Sequence, residues 1–202
     1  MKQRQYNTFA GGEANEWLKR NKNKVTADGD PVLHSLKLNK IEPKNLLEVG
    51  CADGWRLREI EKLYPQCQTT GVDPLLVKPH KNSFFGGAHD LNFLGNATFD
   101  VVVYGFCLYL CDRDDLFNIA KEGDRVLKDG GHIVVYDFHS TRPSKMPYKH
   151  HKGVFSYHFS YENLWNWNPA YSMATRQLYG TGNDTTEVVV LHKNSSIAWP
   201  DK

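Results

Sequence analysis

The stretch Asn45-Leu46-Leu47-Glu48-Val49-Gly50-Cys51-Ala52-Asp53-Gly54-Trp55 constrains the fold of this chain more than any other. A short apolar run carries one acid, and a loop of small residues then opens an amphipathic segment. Strand, glycine loop and helix N-terminus in that order form a cradle for a nucleotide-type ligand, because small residues let it approach backbone N–H groups. Glu48 narrows the ligand class. A carboxylate at the end of the first strand suits a ligand with an ammonium group and repels a pyrophosphate.

The rest of the chain alternates as such a cradle requires. Residues 12–20 read as a helix with Ala14, Trp17 and Leu18 on one face, and Asp30-Pro31 as an N-cap and first helical position of a helix ending at Leu38. Strands are predicted at residues 46–49, 69–72, 83–85, 99–104 and 132–138, and helices at 55–63, from Pro74 onward, and at 112–127. The run 99–104 (FDVVVY) is continuously apolar and β-branched, as in a strand covered on both faces. Residues 139–168 form an aromatic- and histidine-rich segment with a helix at 161–167. Two β-like runs, 172–179 and 186–192, flank a Gly-Thr-Gly-Asn-Asp turn and predict an antiparallel hairpin at one edge. Alternating strands and helices predict a mostly parallel α/β sheet with right-handed crossovers. One domain is expected over 1–202, comprising an N-terminal helical cap (1–40), a ligand-binding core (41–138), a substrate-side insertion (139–168) and the terminal hairpin (169–193). Residues 1–8 and 194–202 are expected to be loose.

Composition excludes several classes. At 202 residues the chain suits one well-buried domain. A formal net charge of +2 gives no footprint for nucleic acid or an anionic membrane. No apolar run approaches the ~20 residues of a membrane span, and the first residues lack the apolar core of a signal peptide. A cytoplasmic protein, monomer or homodimer, is expected. Cys51, Cys67, Cys107 and Cys111 form no CxxC pair, so they are expected to be free thiols, and zinc spacing is absent; no metal site is expected.

In an open α/β sheet, ligands sit beyond the carboxyl ends of the strands. Glu48, Gly50, Ala52, Asp53 and Gly54 follow the first strand. Asp73 ends the second, where a carboxylate can accept both hydroxyls of a ribose. In Ala88-His89-Asp90-Leu91, Asp90 is placed to accept from an adenine amine, and Phe106 follows the fourth strand. A loop and two acids at intervals of about 20 residues define a nucleoside-type cofactor site. The G-x-G-x-x-G of nicotinamide enzymes is not met, since Ala52 and Trp55 replace two of its glycines.

Residues 46–138 resemble the class I S-adenosylmethionine (SAM)-dependent methyltransferases. LLEVGCADG, GVDP, GGAHDLNF, FDVVVYGFCLYL and RVLKDGGHIVVYDF recur in that family in this order. The resemblance implies a Rossmann-like, seven-stranded sheet of order 3-2-1-4-5-7-6, with the seventh strand antiparallel and helices on both faces. It implies SAM as cofactor and S-adenosylhomocysteine as product. It places Glu48, Gly50, Ala52 and Gly54 around the methionine part, Asp73 with Pro74 at the ribose, His89, Asp90 and Leu91 at adenine, and Phe106 on the cofactor's other side. Ala52 departs from the family's usual glycine and tightens the loop.

An aligned nucleophile displaces the methyl, often with the help of a base. Candidates after the fourth and fifth strands are Tyr109, His139 and His150, with Asp137, Arg142, Tyr148, His151, Tyr157 and His158 as further members of the region. The flanks, residues 9–21 and 147–151, are similar to small methyltransferases of bacterial sugar and surface-polysaccharide clusters, including those associated with pseudaminic acid biosynthesis. That likeness implies a hydroxyl or amine of a sugar- or nucleotide-sugar-like small molecule as acceptor. It also implies a lid role for the helix bearing Phe9 and Trp17, against which stands simple packing of Trp17 into the core. A protein or RNA substrate engaged with a partner, and a SAM-binding protein without turnover, are the alternative readings. DNA amino-methylation would need an Asn-Pro-Pro-Tyr-like motif after the fourth strand, where Tyr104-Gly105-Phe106-Cys107 stands instead.

Overall fold

The structure is a computed structural model that describes residues 4–21, 29–75, 80–182 and 185–198. The chain opens with a short helix, α1 (Gln5–Thr8), a π-helical turn (Phe9–Glu13), α2 (Ala14–Asn21) and α3 (Pro31–Leu38). At the start of α3 the Asp30 carboxylate accepts from Leu33 N–H at 2.9 Å, and Pro31 sits where its missing N–H costs nothing. The core then alternates β1 (Asn45–Val49), α4 (Trp55–Leu63), β2 (Gln68–Asp73), β3 (Ser83–Phe85), β4 (Phe99–Gly105), α5 (Leu116–Val126) and β5 (Leu127–Phe138). After β5 come β6 (Ser144–Pro147), β7 (Phe155–His158), α6 (Asn163–Asn166), β8 (Tyr171–Tyr179), β9 (Thr186–Lys193) and α7 (Ser195–Ala198).

Seven strands form one sheet in the order β3-β2-β1-β4-β5-β9-β8, with β1 to β5 parallel and β9 antiparallel to both neighbours. This is the predicted topology; the last two strands are numbered eight and nine because β6 and β7 intervene as a separate ribbon. Period-two alternation sorts the apolar residues onto two faces. Leu47, Val102, Ile133, Val135, Val189 and Leu191 pack under α5 and the Trp165 ring, while Leu46, Val101, Val103, Val134, Val188 and Val190 pack against α3 and α4. Among the described residues no helix is long and apolar enough to cross a membrane.

The sequence expectations need correction in several places. Residues 5–8 are not loose: the Gln5 side chain donates to Leu110 O at 2.8 Å and accepts from Phe155 N–H at 2.7 Å. Residues 195–198 form a helical turn whose entry is tied by Ser195 N–H to Asp129, 2.8 Å, and Ile197 N–H to Asn194, 3.1 Å. Regular α-helix begins at Ala14 rather than 12, because Gly12 adopts φ +131°. The helix expected from 112 begins at Leu116 after a 3-10 turn, and that expected over 161–167 is the single turn of α6. The ribbon of β6 and β7 was not anticipated. The helix expected after Pro74 falls mainly on residues 76–79, outside the described residues, as do residues 1–3 and 199–202.

Candidate active site

The loop after β1 is shaped by left-handed backbone at three positions: Gly50 (φ +79°), Ala52 (φ +47°) and Gly54 (φ +71°). Gly50 and Cys51 N–H both donate to Val72 O, at 2.8 and 3.3 Å, which draws the loop onto the end of β2. A Cβ on Gly50 would lie 2.5 Å from that of Cys107, so this glycine is sterically required. Ala52 holds the same conformation with a methyl, at a cost of about 1–2 kcal/mol. Its N–H donates to Asp73 Oδ2 at 2.9 Å. Burial pushes the Asp73 carboxyl up to about 6 although the Ala52 and Leu75 N–H groups favour its anion.

Beneath the loop lies a buried charge cluster. Arg56, on the first turn of α4, pairs with Glu48 Oε1 and, at 3.0 Å, with Asp30 Oδ2. Glu48 is 1% exposed, and its Oε2 has no hydrogen-bond partner among the described residues. Burial raises the Glu48 carboxyl to about 7 against the pull of Arg56. Arg56 remains a cation, because Glu48 and Asp30 outweigh the effect of its own burial. Asp30 was anticipated as a cap; its second task, holding Arg56, was not.

Beyond the strand ends opens a cleft lined from β1, β2, β4 and the N-terminal segment. Six of the ten residues expected at the cofactor line it: Gly50, Ala52, Asp73, Pro74, His89 and Phe106. The other four lie elsewhere. Glu48 is in the charge cluster, Gly54 packs under His80, and Leu91 is in the core with its N–H on Glu122 at 3.0 Å. Asp90 is exposed, its Oδ1 accepting from Asn92 N–H at 3.3 Å.

Of the roof, the sequence reading offered Phe9 and Trp17 as a lid beside the alternative of core packing; Tyr6, Ala14, Asp112 and Asp115 were not foreseen. Tyr6, Phe9, Ala14 and Trp17 of the N-terminal segment line the cleft, as do Asp112 and Asp115 before α5. Asp112 accepts from Gln5 N–H at 2.9 Å and Tyr6 N–H at 3.0 Å, capping α1 across the fold, and Arg4 pairs with Asp115. Tyr6 meets His89 edge-on with centroids 4.8 Å apart. A short polar turn before a helix reads in sequence as a cap of its own helix, which conceals this longer-range role. Cys107 and Cys111 also line the cleft, Cys51 and Cys67 are buried, and all four thiols are free. Burial raises every one of these thiols.

The three catalytic candidates are dispersed. Tyr109 accepts from Trp17 Nε1 at 3.3 Å, its ring against Phe106 and Phe138 at 4.9 and 5.1 Å. Burial raises its hydroxyl far above the ordinary range. His139 Nδ1 lies 2.9 Å from Glu187 Oε2 near the start of β9, and His150 is exposed beside the Tyr148 ring. Neither histidine lines the cleft.

A doubly wound sheet with a glycine loop after β1, an acid after β2 and a cleft across the strand ends defines a nucleoside-cofactor enzyme. Residues 21–172 match the methyltransferase-domain family, and the chain belongs to that class I, SAM-dependent family. No curated protein matches it in sequence. In three dimensions it is similar to a Burkholderia thailandensis 1,6-didemethyltoxoflavin N1-methyltransferase solved with 1,6-didemethyltoxoflavin and S-adenosylhomocysteine. That likeness has TM-score 0.72 and 16% identity over 93% of this chain and 89% of the other. It is also similar to a Mesorhizobium loti SAM-dependent methyltransferase, at TM-score 0.61 and 14% identity over 82% and 99%. The N-methyltransferase NodS of Bradyrhizobium japonicum aligns at TM-score 0.57 and 20% identity over 80% and 84%.

The residues present fit the cofactor. Asp73 lines the cleft as an acceptor for hydroxyls, Val49, Val72 and Leu110 give apolar walls for a base, and the Glu48 oxygen without a partner leaves negative character beneath the loop.

Proposed function

We propose that this chain transfers the methyl of SAM to a small-molecule oxygen or nitrogen acceptor. The observation that carries this is the roof: the chain's own N-terminal segment covers the strand-end cleft, and Gln5 ties it to Leu110 and Phe155. A roof supplied in cis suits a compact acceptor better than a nucleic-acid strand or protein surface. When bound, the cofactor supplies an activated methyl on a sulfonium. The protein's work is then to hold the cofactor through Asp73 and the loop, exclude water beneath Tyr6, Phe9 and Trp17, and orient the acceptor.

The likeness of the flanks to sugar-cluster methyltransferases favours a sugar or nucleotide-sugar acceptor as one of the finer readings, and those flanks converge. Phe9 lies 5.9 Å from Tyr148, whose hydroxyl donates to Glu13 at 3.0 Å and accepts from Arg20 at 3.1 Å. Purified protein with methyl-labelled SAM and a panel of sugars, nucleotide sugars and heteroaromatic amines tests the proposal. Label transfer to a small acceptor by the protein alone is expected. Transfer only after adding RNA or a protein fraction would overturn it, as would cofactor binding without any turnover.

A further inference from the structure

At one end of the cleft its lining residues Phe106 and Trp17 both touch Tyr109, and further rings back Phe106 from outside the lining. Phe106 lies 4.9 Å from Tyr109, 4.8 Å from Phe138 and 5.1 Å from Tyr136, centroid to centroid. Phe138 in turn stacks on His158 at 4.2 Å and 12°. His158 Nε2 meets Ser156 Oγ at 3.0 Å, and burial lowers its affinity for a proton, so this ring is neutral. Trp17 faces the same end from the roof, its one N–H used on the Tyr109 hydroxyl, which leaves its faces as apolar surface.

Phe106 occupies this position at φ +61°, a conformation that costs a non-glycine residue about 1–3 kcal/mol. Held by three neighbouring rings, the Phe106 ring is a preorganised platform. Of the acids that line the cleft, Asp112 and Asp115 lie beside Tyr6 and His89, with His89 3.7 Å from Asp115 and Asp112 capping α1, and Asp73 is held at the loop by Ala52 N–H. At the Trp17 end the lining is Phe9, Ala14, Phe106, Cys107 and Leu110, with few partners for a ring of hydroxyls.

We infer that the acceptor presents a planar unsaturated ring, such as a nitrogen heteroaromatic, to the Phe106 platform opposite Trp17, and that Phe106 and Phe138 set this specificity. A saturated sugar ring bristles with hydroxyls that this wall would leave unpaired, whereas a flat π-face is satisfied by stacking. The inference rests on the methyltransferase reading above and stands against the sugar acceptor offered there; the experiment separates all three.

S-adenosylhomocysteine binding is measured first by calorimetry; its absence would remove the functional reading itself. Saturation-transfer NMR on the S-adenosylhomocysteine complex then uses lumazine, hypoxanthine and N-acetylglucosamine as probes, with irradiation of the protein's aromatic protons. The expected result is transfer to lumazine or hypoxanthine ring protons and none to N-acetylglucosamine. Phe138→Leu, which keeps the platform's apolar contact but removes a ring from beneath it, is expected to weaken the heteroaromatic about tenfold. Phe106→Leu is expected to weaken it at least as much. Binding of N-acetylglucosamine in preference to the flat rings, or no binding of either flat ring at millimolar concentration, would overturn the inference. Equal affinity in wild type and both leucine variants would also overturn it.

Discussion

The two ends of the cleft are built in different ways. The cofactor end is local: Glu48, Gly50, Ala52 and Arg56 lie within nine consecutive residues, and Asp73 reaches them across one strand pair. The roofed end, where the acceptor is proposed to sit, is assembled from distant pieces. Gln5 meets Leu110 and Phe155, Trp17 meets Tyr109, and Tyr148 meets Glu13 and Arg20. A local motif can be reused in many proteins because its geometry needs only a strand, a loop and a helix. A roof made from three remote segments is free to vary with the acceptor.

This contrast predicts that substitutions at the cofactor end disturb fold and affinity, whereas those at the acceptor end disturb selectivity. The largest effect is expected at Arg56. Arg56→Met leaves Glu48 and Asp30 buried without their cation and should lower unfolding free energy by about 3–5 kcal/mol in urea titration. Adding Glu48→Gln should recover part of the loss. Loss below about 1 kcal/mol would mean that the cluster does not brace the loop. Next is Asp73→Ala, expected to weaken S-adenosylhomocysteine by about tenfold to a hundredfold while circular dichroism stays unchanged. Unchanged affinity would break the ribose assignment.

A pH experiment sharpens the comparison at the sheet's centre. Asp137 accepts from Phe138 N–H at 2.8 Å and Tyr109 N–H at 3.2 Å, yet burial pushes its carboxyl up to about 7. In the unfolded chain it titrates near ~4. The folded state therefore holds the extra proton between those values, and stability falls as pH rises from about 4 to 7, by at most about 1.4 kcal/mol per pH unit from this group. Glu48 and Asp73 act in the same direction. Asp137→Asn should flatten the profile, whatever its absolute stability; an unchanged slope would show that Asp137 titrates in the folded protein where it does in the unfolded chain. The smallest effect is expected for Ala52→Gly, which relieves φ +47° and should stabilise by about 1 kcal/mol, raising Tm by a few degrees. A fall in Tm would show that the methyl packs usefully against the loop.

The sheet was legible because each strand carries its own signal. FDVVVY reads as a doubly covered strand and lies at the centre as β4, and Ser83–Phe85 and Trp55–Leu63 have the expected bounds. Gly50 and Asp73 were legible because backbone conformation and strand-end placement follow from nearby residues. Asp90 and Leu91 were read as a pair at adenine, but one faces solvent and the other the core, since successive residues in a turn diverge. The ribbon of β6 and β7 was missed because β6 is exposed throughout, β7 is short and partly buried, and the apolar pattern of both is weak. Residues 5–8, polar and terminal, gave no hint that Asp112 would cap them.

By itself, then, the run from Leu46 to Trp55 determined a strand, a left-handed small-residue loop and a helix, and with Asp73 the class of cofactor. Those properties depend on torsion angles and on neighbours a few residues away. Tertiary structure alone decided that Glu48 would face Arg56, that the N-terminal segment would line the cleft as a roof and not only pack into the core, and that Phe106, Tyr109 and Phe138 would meet as one aromatic platform. Each of these is a contact between segments distant in the chain, set by how the layers pack and invisible in any local pattern.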